Sequence, residues 1–288
     1  MLLGAHISVS GGYDKALAYA HEVGCECAQI FAKSPRQWRG PKIDPRAAQH
    51  FRDARAEQGF GPIFTHTAYL INPATPNPDL REKSIAALAD ELVRGSLLGA
   101  AGVVTHIGND PDEDPAAAAL RVADACVRAF ELAGGEACQT RLLLENTAGA
   151  GHTFGSTFEQ LGECITASGL PTERLGICID TCHAWAYGFA VDSAAGWRDV
   201  IDGIEGCCGI GRLGLIHAND CLFERGSKRD RHAWIGDGFI GMDGFGAMVC
   251  MPELADVCAV TEMPGEVPIK DIENVRRLSE LRSACSSA

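Results

Sequence analysis

Six side chains of metal-binding type recur in one local context along the chain. Each is a histidine or a carboxylate at the end of a short apolar run, which is typical of a buried strand. The six residues are His66, His106, Glu145, Asp180, His217 and Glu262. Imidazole and carboxylate are common ligands of divalent cations. A single strand-end histidine is more often a hydrogen-bonded core residue, but six such ends in succession favour a metal site.

Three more candidate ligands lie in predicted loops: His183, and the pair Asp230 and His232. A tetrahedral zinc takes about four ligands, so nine side chains with one bridging carboxylate suit three ions. Imidazole-rich mixed sites favour zinc, whereas carboxylates alone would favour magnesium or manganese. Cys182 is a further candidate thiolate ligand, although the strand-end set suffices without it. Clustered cations are typical of phosphoester hydrolysis, and they also serve aminopeptidases and sugar isomerases.

The elements that must position these side chains alternate between apolar runs and segments of helical periodicity. We predict strands at 2–7, 28–31, 62–66, 102–106, 141–145, 175–180, 212–217 and 257–262. The predicted helices cover 13–23, 45–57, 79–97, 115–133, 157–167, 194–204 and 268–282, and 218–242 is the longest predicted loop. Eight predicted strands in 288 residues, seven of them followed by a predicted helix, predict a single α/β domain over 1–288, a (β/α)8 TIM barrel.

The barrel prediction brings the candidate ligands together. A parallel barrel gathers the C-terminal ends of its strands on one face, so ligands spread along the sequence would share one pocket there. The alternative fold is an open doubly wound sheet, which usually carries a G-x-G-x-x-G turn after its first strand. Gly11-Gly12 does not have that spacing.

Composition and charge limit the class of protein. The net charge of −13 argues against unspecific polyanion binding, although bound cations would offset part of it and basic side chains crowd one segment. That segment contains Lys33, Arg36, Arg39, Lys42, Arg46, Arg52 and Arg55. With no apolar run near the roughly 18 residues of a membrane span and no secretory signal, we expect a cytoplasmic monomer. The 13 cysteines are odd in number and irregularly spaced, which predicts reduced thiols.

Several stretches resemble a known family. They are Gly4-Ala-His-Ile-Ser8 with Gly11-Gly12, Arg36-Gln-Trp-Arg39, His66 with Tyr69-Leu-Ile-Asn72, Leu144-Glu-Asn-Thr-Ala-Gly149, Cys178-Ile-Asp-Thr-Cys-His183, His217-Ala-Asn-Asp220, Asp230-Arg-His232 and Glu262. The chain resembles endonuclease IV, the zinc-dependent AP endonucleases of DNA base excision repair. The stretches run in order along nearly the whole chain, and the I-D-T-C-H and D-R-H motifs are specific in combination.

The resemblance implies three zinc ions, with manganese as a partial substitute. The implied ligand sets are His66, His106 and Glu145 for one ion; Glu145 (bridging), Asp180, His217 and Glu262 for the second; and His183, Asp230 and His232 for the third. Glu145 and Glu262 are thereby implied as catalytic residues. The implied reaction cleaves duplex DNA on the 5′ side of an abasic site, leaving a 3′-hydroxyl and a 5′-deoxyribose phosphate, and also removes blocked 3′ termini.

The resemblance also implies how DNA is bound. Arg36, Tyr69 and Leu70 match family positions that enter the minor groove of bent DNA and fill the gap left by an extruded nucleotide. From spacing alone these residues would be a surface arginine and an ordinary loop anchor. Arg39 lies on the same predicted loop as Arg36 and is a fourth expected DNA contact.

Three residues depart from the family pattern: Ile107 replaces a usual proline, and Ala150 and Phe239 replace polar residues. None is a candidate ligand, so they bear on loop geometry, with the loop at Ile107 expected to be less rigid. Two rival functions remain. A metal-dependent sugar isomerase on a related barrel is disfavoured by the extra Asp230 and His232 pair. A catalytically inactive zinc-binding module is disfavoured because all nine ligand positions are retained.

Overall fold

The computed structural model describes residues 1–285, and ten strands lie within them. In chain order they are β1 Leu2–Ile7, β2 Cys27–Phe31, β3 Ile63–His66, β4 Gly102–His106, β5 Arg141–Glu145, β6 Leu175–Asp180, β7 Leu213–His217, β8 Asp220–Cys221, β9 His232–Ala233 and β10 Cys258–Thr261. Strands β1 to β7 and β10 form a closed parallel barrel in which β10 pairs with both β7 and β1. Strands β8 and β9 form a separate antiparallel pair.

Nine α-helices lie within the same residues. They are α1 Tyr13–Glu22, α2 Pro45–Glu57, α3 Pro78–Leu98, α4 Pro115–Leu132, α5 Phe158–Ser168, α6 Thr181–Tyr187, α7 Ala194–Cys207, α8 Gly241–Cys250 and α9 Ile269–Cys285. In residues 1–285 no helix combines the length and hydropathy needed to cross a membrane. The longest, α3, has clear boundary signals: the Asn77 side chain accepts from the Leu80 N–H, Pro78 opens the helix, and Gly99 ends it at φ 64°.

The core has two parts, as expected when a sheet closes on itself. A cluster made only of strand residues fills the interior of the barrel: Cys27, Phe64, Val104, Leu143, Cys178, Leu215, Cys258 and Val260. Larger clusters pack the outward-facing strand residues against the helices, with the fully buried Phe51 and Trp197 among them. Both faces of each strand are therefore buried, which explains why the strands read as continuous apolar runs.

The predicted barrel is confirmed, with each of its eight strands within two residues of the predicted bounds. The prediction was wrong in three places. The segment 218–242, predicted as a loop, contains β8 and β9, and α6 and α8 were not predicted. Helix α8 contains Gly241, Gly244 and Gly246, which lower its helix propensity, but burial of Phe245 and Met248 stabilises it.

The prediction of reduced thiols was wrong for one pair. Cys250 and Cys285 form a disulfide between the C-terminal ends of α8 and α9. The two residues are 35 positions apart, and only the packing of α8 against α9 brings them together. The other eleven cysteines are free, and nine of these are buried, as expected for small apolar side chains.

Candidate metal centre

The nine predicted ligands converge at the C-terminal end of the barrel. Three groups have ligand atoms that all lie within 4.8 Å of one another. They are His66, His106 and Glu145; Glu145, Asp180, His217 and Glu262; and His183, Asp230 and His232. Glu145 belongs to two of them, through Oε2, 3.1 Å from His66 Nε2, and Oε1, 3.1 Å from His217 Nδ1. The geometry therefore matches a centre in which one carboxylate is shared.

Four of the histidines have one ring nitrogen committed to an oxygen that can only accept a hydrogen bond. His66 Nδ1–H donates to the Thr67 carbonyl, His183 Nδ1–H to that of Asn146, and His232 Nδ1–H to that of Glu262, each at 2.9 Å. His217 Nε2–H donates to Gln29 Oε1, also at 2.9 Å. Such bonds fix the tautomer, so the second nitrogen of each ring presents a lone pair to the centre.

Those lone pairs face carboxylate oxygens. His183 Nε2 lies 3.2 Å from Asp230 Oδ2, and His232 Nε2 lies 3.3 Å from Asp230 Oδ1. His232 Nε2 is also buried without a hydrogen-bond partner. Two acceptors at this distance repel unless a proton or a metal cation lies between them. The donor set of imidazole nitrogens and carboxylate oxygens fits zinc.

Buried amides hold the carboxylates of the centre in place. Asn219 Nδ2 donates to Asp180 Oδ2 at 2.6 Å, and Asn219 Oδ1 accepts from the Glu262 N–H at 2.8 Å. Asn146 Oδ1 accepts from the Asp180 N–H at 2.6 Å, and Asp180 Oδ1 accepts from the His183 N–H at 2.8 Å. The last bond caps α6, so the same carboxylate starts this helix and orients His183 on it. These partners fix side-chain directions in the manner expected around a metal.

The ionisable side chains of the centre shift one another's pKa values. Burial opposes ionisation of Glu145, but the neighbouring His106 and His217 hold its pKa well below the usual range. Burial also disfavours a charged imidazole at His183, yet Asp180 and Asp230 outweigh it and raise the pKa of His183 to about 10. Ionised Glu145 and protonated His183 are thus favoured, whereas burial lowers the pKa of His106. A metal ion that binds His183 must displace its proton.

Two residues of the centre were missed by the sequence analysis. His6, near the end of β1, has Nδ1 2.9 Å from Glu262 Oε1, and Gln29 Nε2 donates to the same oxygen at 2.8 Å. Gln29 therefore joins His217 to Glu262. His6 could have been found by extending the strand-end comparison to the first strand. Gln29 lies within β2 and has no distinguishing sequence signal.

The candidate DNA contacts divide between two surfaces. Tyr69 and Leu70 lie on the loop after β3, with 60% and 37% of their surfaces exposed. The Tyr69 ring lies beside Phe31 at the rim of a cleft of about 350 Å³ that exposes the metal centre. Burial and the centre's carboxylates raise the pKa of the Tyr69 hydroxyl, and the nearby Arg36 charge lowers it. Arg39 instead lines a neighbouring groove of about 550 Å³ beside α3.

Known proteins with a similar sequence or fold indicate the family to which the chain belongs. The sequence matches the family model described as a xylose isomerase-like TIM barrel over residues 17–281. It is 40% identical over 284 residues to probable endonuclease 4 of Methanoculleus marisnigri, covering 99% of this chain and all of that protein. The fold is similar to that of endonuclease IV from Thermus thermophilus, with a TM-score of 0.86 and 34% identity over 99% of this chain and 100% of that one. The chain belongs to the endonuclease IV family.

Membership of the endonuclease IV family confirms the resemblance that the motifs carried. The barrel is also similar to a D-tagatose 3-epimerase-like protein, with a TM-score of 0.70, 18% identity and coverage of 100% of this chain and 97% of that one. At that identity the similarity shows the fold alone. It explains why a sugar isomerase was a reasonable rival: the two kinds of enzyme share a barrel.

The three departures from the endonuclease IV pattern lie outside the ligand groups. Ile107 is fully buried, and its carbonyl accepts from the Ala74 N–H at 3.1 Å. Burial of the side chain and this hydrogen bond anchor the position, and the lower rigidity expected for the loop stays a prediction. Ala150 is exposed and its carbonyl accepts from Thr153. Phe239 has 53% of its surface exposed, while its N–H donates to the Cys221 carbonyl.

Cys182 lies beside the candidate metal centre. Its sulfur belongs to a further group with ligand atoms of Asp180 and His232, and its thiol donates to Asp230 Oδ1 at 3.8 Å. The side chain is fully buried. In the endonuclease IV family motif I-D-T-C-H it precedes His183, so helix α6 carries both this cysteine and a candidate ligand. Its role as a ligand stays a prediction.

Proposed function

We propose that this chain is a DNA repair endonuclease that hydrolyses the phosphodiester bond on the 5′ side of abasic sites in duplex DNA. The observation that carries the proposal is the arrangement of three ligand groups around the shared carboxylate of Glu145. Family membership supports it. The proposed products are a 3′-hydroxyl and a 5′-deoxyribose phosphate, and the same hydrolysis would remove blocked 3′ termini.

The proposed cofactor is three zinc ions per chain, with manganese as a partial substitute. The proposed ligand sets are those that the family resemblance implies: His66, His106 and Glu145; Glu145, Asp180, His217 and Glu262; and His183, Asp230 and His232. When bound, zinc would lower the pKa of coordinated water and stabilise negative charge on the phosphate and on the leaving oxygen. The third group supports a nuclease over a two-ion sugar isomerase, since it supplies ligands beyond the first two sets.

The protein's own side chains have distinct tasks in this proposal. Glu145 sets the spacing of the first two ligand sets, because its two oxygens face different histidines. Glu262 is held by Gln29 and His6 at one oxygen, which leaves Oε2 free to face His217 at 3.2 Å. Preorganised charge of this kind stabilises a transition state without reorganisation during the reaction. Glu145 and Glu262 are therefore the proposed catalytic residues.

Access to the centre requires DNA to change shape. The ligands lie at the base of a cleft whose rim includes the exposed Tyr69, and stacked bases in a straight duplex could not bring a backbone phosphate to that depth. Extrusion of the lesion into the cleft solves this, and an abasic site costs least to extrude because it has no base to unstack. Tyr69 and Leu70 would then occupy the gap in the duplex.

The function is tested with a duplex that carries one tetrahydrofuran abasic-site analogue, labelled at the 5′ end of the lesion strand. Zinc-loaded protein should produce a single labelled fragment that ends immediately before the lesion and that a DNA polymerase can extend, which identifies the 3′-hydroxyl. The matched intact duplex should remain uncut. Cleavage on the 3′ side, equal cutting of both duplexes, or no cleavage would contradict the proposal.

Replacing Arg36 and Arg39 together with alanine should weaken duplex binding and flatten its dependence on salt. Each lost phosphate contact should lower the slope of log K against log salt by roughly one. The measurement is binding to abasic and intact duplexes across a salt series. Arg276→Ala is a matched control, because that guanidinium pairs with Glu273 and Glu280 within α9. Binding equal to wild type at every salt would show that the loop does not dock DNA.

Replacing Tyr69 and Leu70 with alanine should affect the preference for abasic duplex rather than the salt dependence of binding. These side chains are expected to act as wedges, so their loss should reduce the preference for abasic over intact duplex by roughly tenfold while leaving the salt slope unchanged. The same binding series measures both quantities. Leu120→Ala, an exposed leucine on α4, provides the control for losing surface apolar area. If the Tyr69 and Leu70 variant keeps the wild-type preference for abasic over intact duplex, these side chains do not act as wedges.

A further inference from the structure

A buried ion pair connects α3 to the loop that follows β2. Lys33 Nζ lies 3.1 Å from Glu91 Oε1 and 3.1 Å from Asp90 Oδ2. The side chains of Lys33 and Glu91 are 1% and 0% exposed. Burying charges costs several kcal/mol per ion, and an apolar pair of similar volume is often at least as stable. Stability alone therefore does not account for a buried pair at this position, beside the proposed DNA-binding loops.

One end of this network holds the loop after β3. Glu91 Oε1 accepts a hydrogen bond from the Ala68 N–H at 3.2 Å, so the same oxygen binds Lys33 and the backbone. The next residue, Tyr69, donates its own N–H to the Pro35 carbonyl at 3.0 Å. The side chains of Tyr69 and Leu70 are 60% and 37% exposed, and the centroid of the Tyr69 ring lies 5.7 Å from that of Phe31. The backbone at Ala68 and Tyr69 sets where both side chains start, so holding it contributes to the direction in which they point.

The other end holds the loop after β2. Arg94 Nε donates to Asp90 Oδ2 at 2.8 Å. Its two terminal nitrogens donate to the Pro41 carbonyl at 2.9 Å and to the Gly40 carbonyl at 3.2 Å. Gly40 cannot be replaced without disturbing the network, since a Cβ there would lie 2.7 Å from the Lys33 Cβ. One face of α3 thus fixes both loops that carry the candidate DNA contacts.

We propose that Glu91 is a positioning residue for lesion recognition: it holds Ala68, and through it the angle at which Tyr69 and Leu70 project over the cleft. Lys33 and Arg94 hold the loop after β2, so that Arg36 on this loop keeps a fixed position relative to Tyr69 and Leu70. This inference rests on the proposed function, because it assigns the network to recognition of abasic DNA. A wedge that is fixed before binding loses less conformational freedom on entering the duplex, which raises the affinity for the gapped lesion.

Two double variants separate this role from folding. Lys33→Met with Glu91→Gln and Lys33→Met with Glu91→Met both remove the buried charges and nearly keep the side-chain volumes. They differ in the oxygen that accepts from Ala68, which only the glutamine variant retains. In the protein without DNA, amide hydrogen exchange of residues 67–71 should be roughly fivefold to tenfold faster in the Met/Met variant than in the Met/Gln variant.

The same pair should differ in DNA recognition. The ratio of Kd values for intact and abasic duplexes should be roughly fivefold to tenfold lower in the Met/Met variant than in the Met/Gln variant, with zinc content and the kcat at saturating substrate equal in the two. Glu82→Gln on the same helix is the control, because its carboxylate pairs with Arg128. Identical exchange and identical Kd ratios in the two double variants overturn the inference.

Two further outcomes remain decisive. If wild type itself does not prefer abasic duplex, the proposed function fails, whereas the exchange comparison still tests whether Glu91 holds the loop. If neither double variant folds, Asp90→Asn replaces them, because the Asp90 side chain is 40% exposed. That change weakens the contacts of Lys33 and Arg94 and should speed exchange of residues 33–41. Wild-type exchange of residues 33–41 in Asp90→Asn would then overturn the part of the inference in which Lys33 and Arg94 hold the loop that carries Arg36.

Discussion

Replacing Glu145 with glutamine should lower kcat/KM for abasic-site cleavage by roughly three orders of magnitude while the barrel stays folded. Glu145 faces His66 with one oxygen and His217 with the other, so the change removes an anionic ligand from two proposed ion sites at once. Metal ions at such a centre provide several kcal/mol of transition-state stabilisation, and each 1.4 kcal/mol is a factor of about ten in rate. The side chain keeps its shape, so packing is nearly unchanged.

The measurement combines cleavage kinetics, zinc content and thermal unfolding for the same preparation. Glu26→Gln is the matched control at a distant ion pair, where Glu26 accepts from the Leu3 N–H and pairs with Arg282. It should lower thermal stability and leave kcat/KM unchanged. If Glu145→Gln instead loses stability in step with activity and keeps its full zinc content, Glu145 is a structural ion-pair partner rather than a bridging ligand.

Removing metal with a strong chelator should abolish cleavage without unfolding the chain. The carboxylates at the centre lie beside histidines that can take up protons, and Asp180 and Asp230 already favour the charged form of His183. Imidazolium–carboxylate pairs can therefore replace the ions when they leave. The melting temperature should still decrease, because ions that bind only the folded state stabilise it.

Readdition of single metals after the chelator is removed identifies the ion. Zinc should restore cleavage, manganese should restore part of it, and magnesium should not, since magnesium prefers an octahedral shell of oxygen ligands that this histidine-rich centre does not provide. Circular dichroism before and after treatment verifies that the barrel remains folded. Full restoration by magnesium alone, or activity that survives complete metal removal, would contradict a zinc centre.

The sequence could predict that the candidate ligands lie in one pocket, because two simple rules apply to this chain. Runs such as Leu142-Leu-Leu144 before Glu145 mark buried parallel strands, and a parallel barrel places all their C-terminal ends on one face. Residues as distant as His66 and Glu262 therefore belong to one pocket before any coordinates are known. Their metal binding stays a prediction, because spacing and geometry identify where ligands lie rather than which ion they hold.

Most of the features that escaped prediction depend on tertiary packing. Helix α6 is the exception: its cap is local, from the Asp180 side chain to the His183 N–H, but the sequence pattern assigned Asp180 to the centre. The Cys250 and Cys285 disulfide depends on how α8 packs against α9. Gln29 and the Lys33–Glu91 pair have no spacing rule, since they act across strands and helices that are distant in sequence. Patterns along the chain indicate whether a segment is a helix or a strand and where it ends. Contacts between such elements can be known only once the fold is known.

Zinc stoichiometry is the most direct test of the central claim, a centre of three zinc ions built from nine side chains. The protein should be expressed and purified without chelator, and its metal content determined by elemental analysis against an independent measure of protein concentration. We expect close to three zinc ions per chain, because nine ligand-type side chains with one shared carboxylate exceed what one ion, which takes about four ligands, can use. A value near one zinc per chain, or retention of magnesium in place of zinc, would contradict the account.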